Sequence, residues 1–395
     1  MKFTTHPLWL VGFRPFFALA CLAGATLPLA WALMFTGAVS PAPSQGIPLR
    51  ITFAAPALQW HAHEMFFGFG WAMLGGFLLT STKNWVGVRG YHGGTLVFLA
   101  AAWLFERIGM IFGGAWPPAL FGLSNFLFLA TIVALLLGTL IGQREKDSYR
   151  DNLYFMLALP LFLPAKFLLL SPDHFAAGWN MTLALFRLAF LLMLERTLTQ
   201  FMKAAFQLAL PRIAALDHAI KGAALALAFA PWLAGWLADG AALLLALLLF
   251  VRWLLWRPNV ALRRLDIGIM YLGYLAIVAQ LALDVLGRWR GHAWVGTVSA
   301  HVFTLGAMGL VVPAMIVRIA RGHTGRKVAF DALDKAALWL MLAGLATRVL
   351  APQLFPGAYA MWIHLTATCW LLCFGLLGWR YIPWLMQPRA DGKTH

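Results

Sequence analysis

The chain has 395 residues, of which 62% are hydrophobic and only 11% are charged, with a formal net charge of +16. In soluble globular proteins about a quarter of all residues are charged. The composition therefore excludes that class and indicates a polytopic membrane protein. The positive charge does not indicate a nucleic-acid partner, because the sequence has no Lys/Arg stripe with interleaved aromatic residues. It fits loops that face an anionic membrane surface.

Apolar runs of roughly the twenty residues that cross a bilayer recur along the whole chain. They predict an all-α fold of about twelve transmembrane helices, arranged as a single transmembrane domain over residues 1–395. The predicted spans cover 16–37, 57–80, 92–112, 117–142, 152–171, 179–202, 218–238, 240–256, 266–287, 294–319, 329–350 and 357–383. The seventh and eighth spans are separated only by Asp239-Gly240, which predicts a short turn there.

Basic residues are concentrated in alternate loops of this arrangement. With the N-terminus in the cytoplasm, most Lys and Arg residues outside the spans fall on the cytoplasmic side, as in the loop that carries Arg144, Lys146 and Arg150. This bias follows the positive-inside rule and predicts that both termini are cytoplasmic. The start of span two and the start of span ten then lie near the outer surface.

Span two opens with a cluster of ionisable residues, Trp60-His61-Ala62-His63-Glu64-Met65. Ionisable groups are costly in hydrocarbon, and those that occur there usually mark a functional site. His301 lies about seven residues into span ten, which is roughly 10 Å deep at 1.5 Å per residue, and His364 lies at a similar depth in span twelve. Histidines of three helices are therefore predicted to share one layer in the outer half of the membrane.

The two histidines of span two cannot readily bind one ion together. On a helix they project about 200° apart, and Glu64 shares the face of His61 rather than that of His63. Neutral imidazole is the commonest protein metal ligand, and histidines in a helix bundle can hold haem iron or copper. Either each histidine serves a different centre, or one binds a metal and the other supports it.

The helical face of His301 continues through Met308, with small residues beside it. Small residues permit close packing between helices, and this face would suit a flat macrocycle held between spans two and ten. Spacing alone leaves two alternatives open. These histidines can be hydrogen-bonded interior residues, or they can line a proton or substrate pathway.

Two further histidines belong to the cytoplasmic side in this topology. His6 precedes span one and His323 follows span ten, near Arg14 and Arg326. An arginine at a helix end usually extends toward lipid head groups. The presence of Arg14 beside His6 leaves a second, inner site open.

Two acid–base doublets lie in otherwise apolar spans. Glu106-Arg107, at the outer end of span three, is interpreted first as a local ion pair and second as an anchor for a haem propionate. Glu195-Arg196, in span six, can pair locally or with another helix.

Several motifs, spread over nearly the whole chain, are similar to those of the NnrS family. They are His6-Pro7-Leu8-Trp9 with Gly12-Phe13-Arg14-Pro15-Phe16-Phe17, Trp60-His61-Ala62-His63-Glu64-Met65 with Gly68-Phe69, Lys83-Asn84-Trp85, His301 with Thr304-Leu305-Gly306-Ala307-Met308-Gly309, Gly322-His323-Thr324-Gly325-Arg326, Tyr381-Ile382-Pro383 and Pro388-Arg389-Ala390-Asp391-Gly392. The chain therefore resembles a family of twelve-span bacterial inner-membrane proteins linked to nitric oxide stress and denitrification. Glu195-Arg196-Thr197 departs from the Gly-Arg-containing form expected in span six.

The resemblance implies a multi-pass protein of the bacterial cytoplasmic membrane that contains haem b, with copper as a second candidate cofactor and nitric oxide as a candidate ligand. The metal-ligand candidates are His61, His63, His301, His323 and His6, and His364 is added on depth alone. Glu64, Met308 and Arg14 are expected to contribute to cofactor binding. In this hypothesis His301 and one of His61 or His63 bind the iron, and the other histidine or Glu64 tunes the ligand through its second nitrogen.

Two other classes of function remain open. A secondary transporter also has twelve spans with cytoplasmic termini, and His61, His63 and Glu64 would then form its substrate or proton pathway. A divergent haem–copper oxidoreductase subunit is the other alternative, although the sequence lacks adjacent paired histidines and has few histidines within the spans. No catalytic residue is predicted. The lipid bilayer is an expected partner, and association of identical chains stays open.

Overall fold

The computed structural model describes residues 3–38, 55–291 and 294–393. Within these ranges no strand occurs, and eleven helices are long and apolar enough to cross a membrane. This confirms the prediction of an all-α, polytopic membrane protein. Prolines inside several helices, such as Pro160 and Pro164, are tolerated because neighbouring helices satisfy the backbone groups that a proline frees.

The longer helices of the described ranges follow the predicted spans closely. They are α1 (Phe13–Phe35), α2 (Ala57–Trp85), α3 (Gly94–Phe112), α4 (Pro118–Gly142), α5 (Leu153–Leu170), α6 (Phe175–Phe206), α7 (Ala214–Ala226), α8 (Gly235–Leu255), α9 (Leu265–Arg290), α10 (Val298–His323), α11 (Ala332–Val349) and α12 (Tyr359–Leu385). Two of them, α2 and α10, contain a π-helical segment, at Glu64–Gly70 and Val302–Met308.

The region of the seventh and eighth predicted spans differs from the prediction. Helix α7 has 13 residues and continues only as a 3₁₀-helix, Leu227–Trp232, which contains Pro231. The predicted turn at Asp239-Gly240 is wrong, because α8 already begins at Gly235. Pro231 cannot continue a regular helix, which accounts for the end of this 3₁₀-helix at Trp232. Asp239 lies within α8, where its carboxylate accepts hydrogen bonds from Arg288.

The chain forms two compact units. Unit 1 comprises Met1–Trp179, Ile319–Val328 and Phe374–His395, and unit 2 comprises Asn180–Arg318 and Ala329–Cys373. The single transmembrane domain expected over the chain stays a prediction.

In unit 1, helices α1 and α2 pack closely through glycines. A Cβ atom on Gly76 would lie 2.7 Å from the Cβ atom of Phe16, and one on Gly12 would lie 2.4 Å from that of Leu79. Real Cβ atoms do not approach so closely, so only glycine permits this spacing. These two contacts place α2 directly beside α1.

Unit 2 contains a buried ion-pair network that joins three helices. The Glu195 carboxylate of α6, which has no exposed surface, lies 2.9 Å from Lys221 Nζ of α7 and 2.8 Å from Arg252 Nη1 of α8. Arg212, in the segment before α7, lies 2.6 Å from the same carboxylate. Glu195 therefore pairs with other segments, as one of the two alternatives for the Glu195-Arg196 doublet predicted.

Candidate functional site

The candidate site in unit 1 is a cluster of buried charged residues around His63. We define the His63 cluster as His63, Glu64, Glu106, Arg107 and Lys166. His63 and Glu64 come from α2, Glu106 and Arg107 from α3, and Lys166 from α5. His63, Glu106 and Lys166 have no exposed surface, and the other two are at least 93% buried. Charges in such an environment persist only when they compensate one another.

Both ring nitrogens of His63 face carboxylates. Its Nδ1 atom lies 2.9 Å from Glu64 Oε1, and its Nε2 atom lies 3.2 Å from Glu106 Oε1. A doubly protonated imidazolium donates from both nitrogens, whereas a neutral imidazole has only one donor. Each ring nitrogen that carries a proton can therefore donate toward the carboxylate beside it, whereas a nitrogen that binds a metal needs its lone pair free.

Two cations complete the charge balance of the His63 cluster. Lys166 Nζ donates to Glu106 Oε1, and Arg107 Nη2 lies 2.6 Å from the same oxygen. Arg107 Nε lies 3.2 Å from Glu64 Oε2. The cluster thus pairs two carboxylates with two basic side chains. The buried Glu106 Oε2 atom has no hydrogen-bond partner among the described residues, which leaves capacity to accept a further hydrogen bond.

The π-helical segment of α2 begins at the residue after His63 and shapes the cluster. Such segments are rare and frequently occur at functional sites. Within it, Gly68 lies directly beneath the Arg107 guanidinium, because a Cβ atom there would lie 2.2 Å from Arg107 Nη1. Trp103 Nε1 donates to Gly68 O at 3.0 Å, and its ring lies 5.1 Å from the centre of the guanidinium. The segment and Trp103 together hold Arg107 over the two acids.

His61 has a different environment from His63. Its half-buried ring stacks on Trp31 of α1, with 4.2 Å between ring centroids. The His63 ring stacks instead on Phe67 at 5.6 Å. This agrees with the expectation that the two histidines point apart. Glu64 contacts His63, although regular helical spacing placed it on the face of His61.

His301 stands at the corresponding point of unit 2, immediately before the second π-helical segment. Its Nδ1 atom lies 2.8 Å from Thr297 O and 2.9 Å from Thr297 Oγ1. Met308, the last residue of that segment, is buried. A Cβ atom on Gly306 would lie 2.7 Å from Ala276 Cβ, so this glycine serves contact between α10 and α9. In both units, a glycine lies five residues after the histidine.

The predicted inner residues lie at the other end of unit 1. His6 Nδ1 accepts from Leu8 N at 3.2 Å and so caps a short 3₁₀-helix. The His323 ring lies 5.3 Å from the ring of Phe13, and its carbonyl accepts from Arg389 at 3.2 Å.

Arg14 has a structural position that accounts for its burial. Its Nη1 atom donates to the carbonyl oxygens of Leu385 and Gln387, at 2.7 and 2.6 Å, and its side chain has no exposed surface. Cations stabilise the exposed carbonyls at a helix C-terminus. Arg14 therefore joins the start of α1 to the end of α12.

The structure assembles some predicted site residues and leaves others apart. His63 and Glu64 belong to the His63 cluster, whereas His301, Met308 and His364 belong to unit 2. His364 is half-buried in α12, where its carbonyl accepts from Thr368 Oγ1 at 2.8 Å. Over the described ranges, no group of three or more His, Cys, Asp or Glu side chains is arranged to hold a metal ion. The ligand assignments and the cofactors stay predictions.

The number and apolar character of the helices define an all-α, multi-pass membrane protein, and the His63 cluster in its interior points to more than an anchoring role. Within that class the family is clear. The chain belongs to the NnrS family, since the family's sequence model, described as NnrS protein, matches residues 7–389. The match covers both π-helical segments and confirms the resemblance found in the motifs. A comparison with curated proteins finds no match.

Proposed function

We propose that this NnrS protein binds haem b within the membrane and binds nitric oxide at the haem, with copper as a second candidate metal. Family membership supports the proposal, because the NnrS resemblance implies haem. The observation that leads us to propose His301 as a haem ligand is the hydrogen bond between its Nδ1 atom and Thr297 O.

A backbone carbonyl can only accept, so this hydrogen bond is made by the tautomer of His301 that has its proton on Nδ1. The lone pair of a neutral ring is then on Nε2, which is the form that binds iron or copper. Metal-ligating histidines usually donate their other ring N–H to a carbonyl or carboxylate in this way, which fixes both tautomer and ring orientation. Thr297, the N-cap residue of α10, lies four residues before His301 and supplies the acceptor.

The residues of this chain would hold and orient the cofactor. His301 would bind the haem iron through Nε2, and buried Met308 would contribute an apolar side chain to the site. A ferrous haem, when bound, supplies an iron that takes up nitric oxide. The second ligand, for which His61 and His63 are the candidates, stays a prediction, as do the roles of His6, His323 and His364. Residence in the bacterial inner membrane with cytoplasmic termini is part of the proposal.

The test is haem content per chain in protein purified in detergent from haem-replete cells. We expect about one haem per wild-type chain by pyridine haemochrome analysis, a Soret shift when nitric oxide is added to the reduced protein, and loss of most haem in His301→Ala. A matched control is His92→Ala. The Nδ1 atom of His92 also contacts a backbone carbonyl, Gly90 O at 3.0 Å, but its side chain is exposed. Full haem content in a folded His301→Ala protein would refute the proposed ligand.

One observation favours a second candidate function, a transporter with a proton pathway through the His63 cluster. His63 between Glu64 and Glu106 can hold a proton and pass it between two acids. Proteoliposomes that contain a pH-sensitive dye test this candidate under an imposed gradient. Proton flux that is abolished in His63→Gln, in protein without haem, would favour transport. Absence of flux above that of empty liposomes would exclude it.

A further inference from the structure

Unit 2 contains a cavity of about 240 Å³ that is separate from the His63 cluster and from His301. Helices α6, α8 and α9 line it, together with the 3₁₀-helix that follows α7. Much of the wall is aliphatic, including Leu183 and Leu281, and small residues such as Ala184 and Ala242 leave the space open. The volume lies below the roughly 300–1,000 Å³ typical of drug-sized ligand pockets, so the cavity suits a small molecule.

Arg187 of α6 is the charged lining residue whose hydrogen-bonding capacity is least satisfied by the protein. Its side chain is only 4% exposed, and its Nη2 atom donates to the neutral Gln280 Oε1 atom at 2.9 Å. Its buried Nε atom has no hydrogen-bond partner among the described residues. A buried guanidinium with an unused donor is costly, because the N–H group has lost water without gaining an acceptor.

The two acids of the cavity are bound to other groups. Arg288 donates to Asp239 Oδ1 at 2.6 and 2.9 Å, and to Asp284 Oδ2 at 2.9 Å. The second oxygen of Asp284 accepts from Ser299 Oγ at 3.0 Å. Arg288 therefore contacts both acids, while Arg187 makes no ion pair within the described residues. Arg187 is thus the charged side chain of the cavity with hydrogen-bonding capacity open to an acceptor from a ligand.

We propose that the cavity binds a short-chain monocarboxylate. The carboxylate would accept hydrogen bonds from Arg187, the side chain best suited to that planar anion. Its alkyl chain would lie against Leu183 and Leu281, which an inorganic oxyanion could not use. The inference is independent of haem, because it rests on residues outside both histidine sites.

Direct binding of labelled butyrate to purified full-length protein tests this proposal, with unlabelled acetate, propionate, butyrate and nitrate as competitors. We expect saturable butyrate binding. Affinity should rise with chain length by up to about fourfold for each methylene that the wall covers. Nitrate should compete weakly. No saturable binding, or nitrate that competes as well as butyrate, would overturn the proposal.

Three variants locate the binding site. Arg187→Gln should weaken butyrate binding by about tenfold or more, since it removes a charge-assisted contact. Ala238→Leu should have a similar effect by filling the cavity while Arg187 remains in place, so it covers the case in which the first variant fails to fold. Arg348→Gln is the matched control, because Arg348 is a buried arginine of unit 2 outside the cavity, bound to Tyr359. Wild-type affinity in folded Ala238→Leu, or equal losses in all three variants, would contradict the assignment.

Discussion

The Nε2 atom of His63 lies 3.2 Å from the Oε1 atom of Glu106, a residue of a different helix, and neither side chain has any exposed surface. The same carboxylate oxygen accepts from Lys166 and lies 2.6 Å from Arg107 Nη2. One carboxylate oxygen thus contacts two basic side chains and faces an imidazole in an apolar interior. Glu106 is therefore in contact with three other members of the His63 cluster.

We expect Glu106→Gln to destabilise the protein by about 3–5 kcal/mol, because it leaves Lys166 buried without its carboxylate. Thermal unfolding in mild detergent, followed by tryptophan fluorescence, measures the change. The control is Glu145→Gln, since Glu145 is exposed between α4 and α5 and its loss should have little effect.

A double variant separates loss of charge balance from a general packing defect. Glu106→Gln combined with Lys166→Met removes both charges, and much of the lost stability should return, because an apolar replacement of a buried pair is often neutral. A double variant as unstable as Glu106→Gln alone would show that Glu106 acts through something other than its charge.

Gly68→Ala should displace the Arg107 guanidinium, because the added Cβ atom would lie 2.2 Å from Nη1. Overpacking of this kind costs about 1–3 kcal/mol. Gly138→Ala in α4 is the matched control, since a Cβ atom there meets nothing within 4 Å and alanine favours a helix over glycine. A stability difference between the two variants of less than the experimental error would mean that Arg107 has room to move.

The length and apolar character of the hydrophobic runs in the sequence were enough to predict most of the helices. The predicted span 117–142 matches α4, Pro118–Gly142, because a bilayer-crossing helix must satisfy its backbone internally and its apolar run records its length. The same reasoning failed at Asp239. A charged residue beside a glycine resembles a turn, and its partner Arg288 lies 49 residues further along the chain.

The candidate site was predicted only in part. The motif of α2 identified His63 and Glu64, but Lys166 belongs to no motif, and its partner Glu106 is 60 residues away. Its only signal was a lone cation inside an apolar run. The π-helical segments left no recognisable pattern either. Because the π-helical segment starts at Glu64, directions calculated from regular α-helical spacing did not predict its contact with His63.

A final prediction concerns Arg14, which the sequence placed among the cofactor-binding residues and the structure places against the carbonyls of Leu385 and Gln387. Arg14→Gln should release the C-terminal segment, because it removes charge-assisted hydrogen bonds that each contribute about 1.5–3 kcal/mol. Limited trypsin digestion, which cleaves after Arg389 and Lys393, should become faster than in wild type, while haem per folded chain should stay the same. The exposed Arg263 provides the control variant, Arg263→Gln, which should alter neither readout. Loss of haem from Arg14→Gln with the C-terminal segment still protected would instead make Arg14 a cofactor-binding residue.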